Sequence, residues 1–126
     1  MADIRKSDAT SEAPAVLRPA AALAAELRAV AARVGGGCRY HEGARDALRW
    51  LLTAGPGPLT GRRTDRPLTL RAVVAELAAA ETQLYGPQAA DRDYAAGLEH
   101  AVMWAVSATP ATPSTALPRP ATRRTW

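Results

Sequence analysis

One pattern occurs twice in this chain: Tyr40-x2-Gly43-x3-Ala47-x2-Trp50 returns, 54 residues later, as Tyr94-x2-Gly97-x3-Ala101-x2-Trp104. Two of only three tyrosines and two of only three tryptophans fall into register together. Leu48 and Leu52 lie over Val102 and Val106 in the same alignment, so apolar character is kept as well. The segments upstream align at a shift of 50, with Ala25-Glu26-Leu27 over Ala75-Glu76-Leu77. The repeating unit is helix, short turn, helix.

Spacings of three, four and three place the tyrosine, glycine, alanine and tryptophan on a single helical stripe. A glycine inside a helix costs about 1 kcal/mol relative to alanine. Its presence at the same place in both copies therefore asks for a compensating contact. Small residues four apart let a second backbone come close. The spacing predicts that the two stripe-bearing helices cross at Gly43, Ala47, Gly97 and Ala101, with Trp50 and Trp104 each covering the crossing from one turn away. Two antiparallel hairpins meeting in this way make an all-α protein, a four-helix bundle.

The rest of the chain punctuates this unit. Residues 1–14 mix both charge signs and are expected to be a disordered tail. The helical domain is expected over 15–108. Its first hairpin runs from about 17 to 54, with Pro19 in the first turn and Gly35-Gly36-Gly37 ending the first helix. Gly55-Pro56-Gly57-Pro58 stops the second helix and opens a connection over 55–69. The second hairpin runs from 70 to 108, its helices capped by Thr69 and Asp91. Residues 109–126, rich in proline and threonine, are expected to be a second disordered tail.

Composition supports helices and a thin core. Alanine supplies 30 of the 126 residues and phenylalanine none, so few large apolar side chains remain to be buried. The runs of β-branched and aromatic residues that a sheet needs are missing. No stretch reaches the roughly 18 apolar residues of a membrane span, and the charged opening residues do not read as a secretory signal. A cytoplasmic protein is the expectation.

Residues capable of chemistry are scattered. The single Cys38 has no Cys-x-x-Cys partner, and His100 lies over Asp46 rather than over His41, so no metal is expected. The sequence contains no Gly-x-Ser-x-Gly, and the glycine run at 35–37 follows a helix and has no nearby lysine, which excludes a nucleotide loop. No catalytic residue, cofactor or small-molecule substrate is expected. Arginine is the exception to the scatter. Arg62, Arg63 and Arg66 gather in the long connection opposed only by Asp65, and Arg123 and Arg124 sit in the C-terminal tail, both sets able to bind phosphate.

Two readings follow. The first is a non-catalytic interaction module, meeting another protein or forming a homodimer through Leu51, Leu52, Val102 and Val106 beside the stripe. The second is a nucleic-acid-binding accessory protein that uses the arginine loop and tail.

Overall fold

The computed structural model describes residues 13–35, 39–87, 89–106 and 112–115. It is mostly helical, in keeping with the expected all-α class. Among the described residues four helices carry the fold: α1 (Ala20–Ala31), α2 (Tyr40–Thr53), α3 (Leu70–Leu84) and α4 (Ala89–Ala105). Two residue pairs, β1 (Gly55–Pro56) and β2 (Arg63–Thr64), join antiparallel in the connection between α2 and α3. A 3₁₀ turn spans Pro113–Thr115.

Local chemistry sets the helix ends. The Thr69 hydroxyl accepts the Ala72 amide at 3.1 Å, the cap the sequence predicts for α3. Four boundaries differ from expectation, the first being the end of α1, which stops at Ala31 with 32–35 as turn leading into the glycine run. Helix α1 begins only after Pro19, because the residue before a proline is pushed out of helical geometry; the amide of that residue, Arg18, instead donates to the Ala105 carbonyl at 2.7 Å. Helix α4 starts at Ala89, so Asp91 lies inside its first turn and is not its cap. It ends at Ala105. At the end of α2 the chain turns through Ala54, whose φ of 64° is the only positive value at a non-glycine among the described residues.

Helices α2 and α4 form the centre, with α1 packed on α2 and α3 on α4. Their backbones touch. A Cβ atom on Gly43 would stand 2.0 Å from the Tyr94 carbonyl oxygen, and one on Gly97 would stand 1.8 Å from that of Tyr40. Around this contact Ala44, Ala47, Ala95, Ala101 and Ala105 are fully buried, so the abundant alanine is spent where helices approach most closely. Trp50 and Trp104 are buried too.

The face expected to meet a second subunit is inside the chain. Leu51 is 6 % exposed and Val102 0 %, while Leu52 and Val106 are half-buried against the same cluster. The pattern alone marks this face as apolar, but Leu51 and Val102 belong to the core of the chain, with α1 packed on α2 and α3 on α4.

Residues 13–14 and 112–115, which fall within the segments expected to be tails, contribute to the packing. Ala13 accepts the Leu70 amide at 2.8 Å and Ala15 donates to Leu68 at 2.9 Å, an antiparallel bridge centred on Pro14 and Thr69. Pro113 is buried, and the Ser114 amide donates to the Glu26 carboxylate at 2.6 Å. Glu26 supplies the anchor that holds this turn on the helices.

Candidate binding site

The stripe tyrosines are hydrogen-bonded across the crossing. The Tyr94 hydroxyl donates to Asp46 at 2.6 Å, and the Tyr40 hydroxyl pairs with Nδ1 of His100. Asp46 and His100 are themselves 54 positions apart, so each copy's tyrosine reaches across the crossing to the same place on the other copy. Burial pushes the Tyr94 hydroxyl up from its ordinary pKa, and its carboxylate acceptor pushes it further. The Arg39 guanidinium lies 4.7 Å from the Tyr94 ring centre and that of Arg18 lies 4.6 Å from the Trp104 ring. Of the eight stripe residues, Gly43, Gly97, Tyr40 and Tyr94 make the close approach of the two backbones; Tyr40, Gly43, Ala47, Trp50, Gly97, Ala101 and Trp104 are buried, and Tyr94 is half-buried.

The 55–69 connection is built, despite its proline and glycine content. Nε1 of Trp50 donates to the Thr64 hydroxyl at 3.0 Å, and that hydroxyl donates to the Gly55 carbonyl at 2.7 Å, which fixes β2 on the end of α2. Arg66 reaches back to the Leu52 carbonyl at 2.5 Å, completing one of the last helical acceptors of α2. Between this connection and α3 opens a cavity of about 340 Å³, which Arg62, Arg63 and Arg66 line together with Arg71 from α3. The three arginines that the sequence singled out in the connection thus converge on one concave site. Arg71 joins them because it occupies the first turn of α3.

The floor of this site is Glu76, which is 1 % exposed. Its carboxylate accepts the Leu59 amide at 2.9 Å, the Thr60 amide at 3.3 Å and the Thr60 hydroxyl at 2.5 Å. A buried carboxylate is tolerated when donors surround it in this way. Gly57 makes room for it, since a Cβ there would come within 1.9 Å of Oε2. Sequence reasoning passed over Glu76 and Glu26. The signal was present in the alignment of Ala25-Glu26-Leu27 with Ala75-Glu76-Leu77: the same charged residue at the same register within two apolar stretches. Each glutamate fastens the segment that follows a central helix, Glu76 the one after α2 and Glu26 the one after α4.

His41 gives this fold a pH dependence. It is buried, its Nε2 has no hydrogen-bond partner, and burial, aided by the charge of Arg33, holds its pKa below the ordinary value. The unfolded chain then takes up a proton first, near pH ~6.5, as the solution is acidified. Stability present above that value is lost as pH falls from it toward the lower pKa of the folded protein, by at most about 1.4 kcal/mol per pH unit. Urea unfolding of the wild type and His41→Gln at several pH values should show this component in the wild type only. Parallel pH profiles would refute it.

Arg123, Arg124 and Cys38 lie outside the described residues. Among those described, no group of three or more histidine, cysteine, aspartate or glutamate side chains could hold a metal ion, and no helix is long and apolar enough to cross a membrane. Compared with models of protein families, with curated proteins and with solved structures, the chain finds no match.

Proposed function

We propose that this chain is a non-catalytic helical interaction module and that its arginine-lined cavity receives an acidic group of a partner protein. The observation that carries the reading is the convergence of Arg62, Arg63, Arg66 and Arg71 on one cavity whose floor carboxylate is already hydrogen-bonded. Guanidinium groups present fixed forks of donors suited to carboxylate and phosphate oxygens. A cavity of this size takes a side chain or short segment.

The scaffold behind it we read as two repeated antiparallel hairpins arranged as a four-helix bundle about a pseudo-twofold axis. Reciprocal contacts support that reading: Gly43 on Tyr94 and Gly97 on Tyr40, Tyr40 with His100 and Tyr94 with Asp46. A partner protein is favoured over a second copy because Leu51 and Val102 are consumed within the chain. It is favoured over nucleic acid because the arginines line one cavity, whereas a polyanion is followed by basic residues spread along a face.

Affinity capture from a host lysate, with the wild type and with Arg62→Glu/Arg63→Glu as baits, tests this. Proteins retained by the wild type after nuclease treatment, lost by the variant, and bound again in purified form are the expected result. Capture that disappears with nuclease would replace the reading with nucleic-acid binding. A dimeric mass by light scattering that only the variant loses would replace it with self-association.

A further inference from the structure

Resting on the reading of the cavity as a receiver of acidic groups, we infer that its first occupant is a segment of the chain itself. Asp8 and Glu12 pair there with Arg62 and Arg63, and a partner must displace them. The direction of the chain points this way. Ala13 accepts the Leu70 amide at 2.8 Å, and Pro14 bridges antiparallel to Thr69. In an antiparallel pair, a step toward the N-terminus on one strand is a step toward the C-terminus on the other. Here that step leads from Thr69 to Arg71, and both line the cavity.

The order of charges agrees. Ser7-Asp8-Ala9-Thr10-Ser11-Glu12, the stretch nearest the bridge, holds two carboxylates and no basic residue; Arg5 and Lys6 come only beyond it. Within the lining, Arg66 is committed to the Leu52 carbonyl and Arg71 has an interaction of its own. The pairing needs neither, because Arg62 and Arg63 are both exposed on the cavity. Glu76 does not compete for them, since its oxygens are spent on Leu59 and Thr60. Reach suffices as well. Glu12 adjoins Ala13, and Asp8 is five residues from it, within about 18 Å of extended chain. A tether that short gives an effective concentration in the millimolar range, so ion pairs too weak to hold a free peptide are enough. A partner's apparent affinity is then lowered by the fraction of cavities the segment fills.

Nuclear magnetic resonance of the full chain tests this. A spin label on Ser7→Cys, in a Cys38→Ser background, should broaden the amide signals of Thr60, Gly61 and Thr64. The broadening should fall several-fold when Asp8→Asn/Glu12→Gln or Arg62→Gln/Arg63→Gln is added, and in about 1 M salt, where the Debye length is about 3 Å. An acetylated peptide of residues 7–12, added in solution, should shift the same amides about three- to tenfold more tightly in Asp8→Asn/Glu12→Gln than in the wild type, which carries its own competitor. Broadening that is absent, or indifferent to these charges, would overturn the inference. Broadening between separately labelled chains in a mixture would assign the segment to a second copy and overturn the contact within one chain. Equal affinity of the peptide for both proteins, or for neither, would overturn the competition. Each of these results leaves the acidic-partner reading to the lysate capture, which fails on its own terms if it is indifferent to Arg62→Glu/Arg63→Glu.

Discussion

Gly43→Ala and Gly97→Ala should each destabilise the protein by about 3 kcal/mol or more, at the upper end of what overpacking costs. The expectation is opposite in sign to the ordinary rule. A glycine-to-alanine change inside a helix normally gains about 1 kcal/mol through propensity alone. Here the added Cβ would lie 2.0 Å from the Tyr94 carbonyl oxygen in one variant and 1.8 Å from that of Tyr40 in the other. The clashing atom in each case is main chain, which gives way only if α2 and α4 move apart. Separating them would open the contact among Ala44, Ala47, Ala101 and Ala105, all at 0 % exposure. Thermal unfolding followed by helical circular dichroism should show a fall of roughly 12 °C or more for each variant. Because both glycines belong to one crossing, the double variant should cost less than the sum of the two. A rise in melting temperature for both single variants would show that the helices do not touch there.

The crossing was legible in the sequence because it needs both a pattern and an anomaly. The three-four-three spacing gave the stripe, and a helix-disfavoured glycine at the same place in each copy gave the reason for close approach. The limits of α2 were legible for similar reasons, with Tyr40 opening the stripe and Gly55-Pro56 closing it. Which side of the stripe a neighbour covers was not legible. Leu51 and Val102 read as apolar surface until α1 and α3 are seen packed over the central pair.

The arginine cluster was legible as composition and illegible as a cavity. Arg62, Arg63 and Arg66 stand out in any reading of the connection, but their convergence depends on β1 and β2, each two residues long and so too short to show alternation. Proline and glycine made that segment read as open loop. Its order comes instead from single side-chain contacts made at a distance in sequence, Trp50 with Thr64, Arg66 with Leu52 and Glu76 with Thr60. A carboxylate within a helix reads as its solvent face, so Glu76 gave no sign of its burial beyond its register with Glu26.

That contact carries the second large effect expected here. Glu76→Ala removes the acceptor of the Leu59 and Thr60 amides and of the Thr60 hydroxyl together. Each buried donor left without a partner costs about 1–3 kcal/mol, so a loss of about 3 kcal/mol is expected even if water satisfies part of the set. Glu76→Gln is nearly isosteric and keeps an oxygen for the two amides, while its new N–H group can donate to the Thr60 hydroxyl. Its loss should be smaller, about 1 kcal/mol, set by the exchange of charge-assisted hydrogen bonds for neutral ones. Glu26→Ala, which frees only the Ser114 amide among the contacts described, should fall between the two. The consequences for the binding site separate Glu76 from Glu26. With its floor removed, the connection should open, and trypsin should cut after Arg62 and Arg63 faster in Glu76→Ala than in Glu26→Ala at a temperature where both remain helical. Equal cleavage rates, or an unchanged melting temperature in Glu76→Ala, would mean that the arginine cavity keeps its shape without the glutamate beneath it.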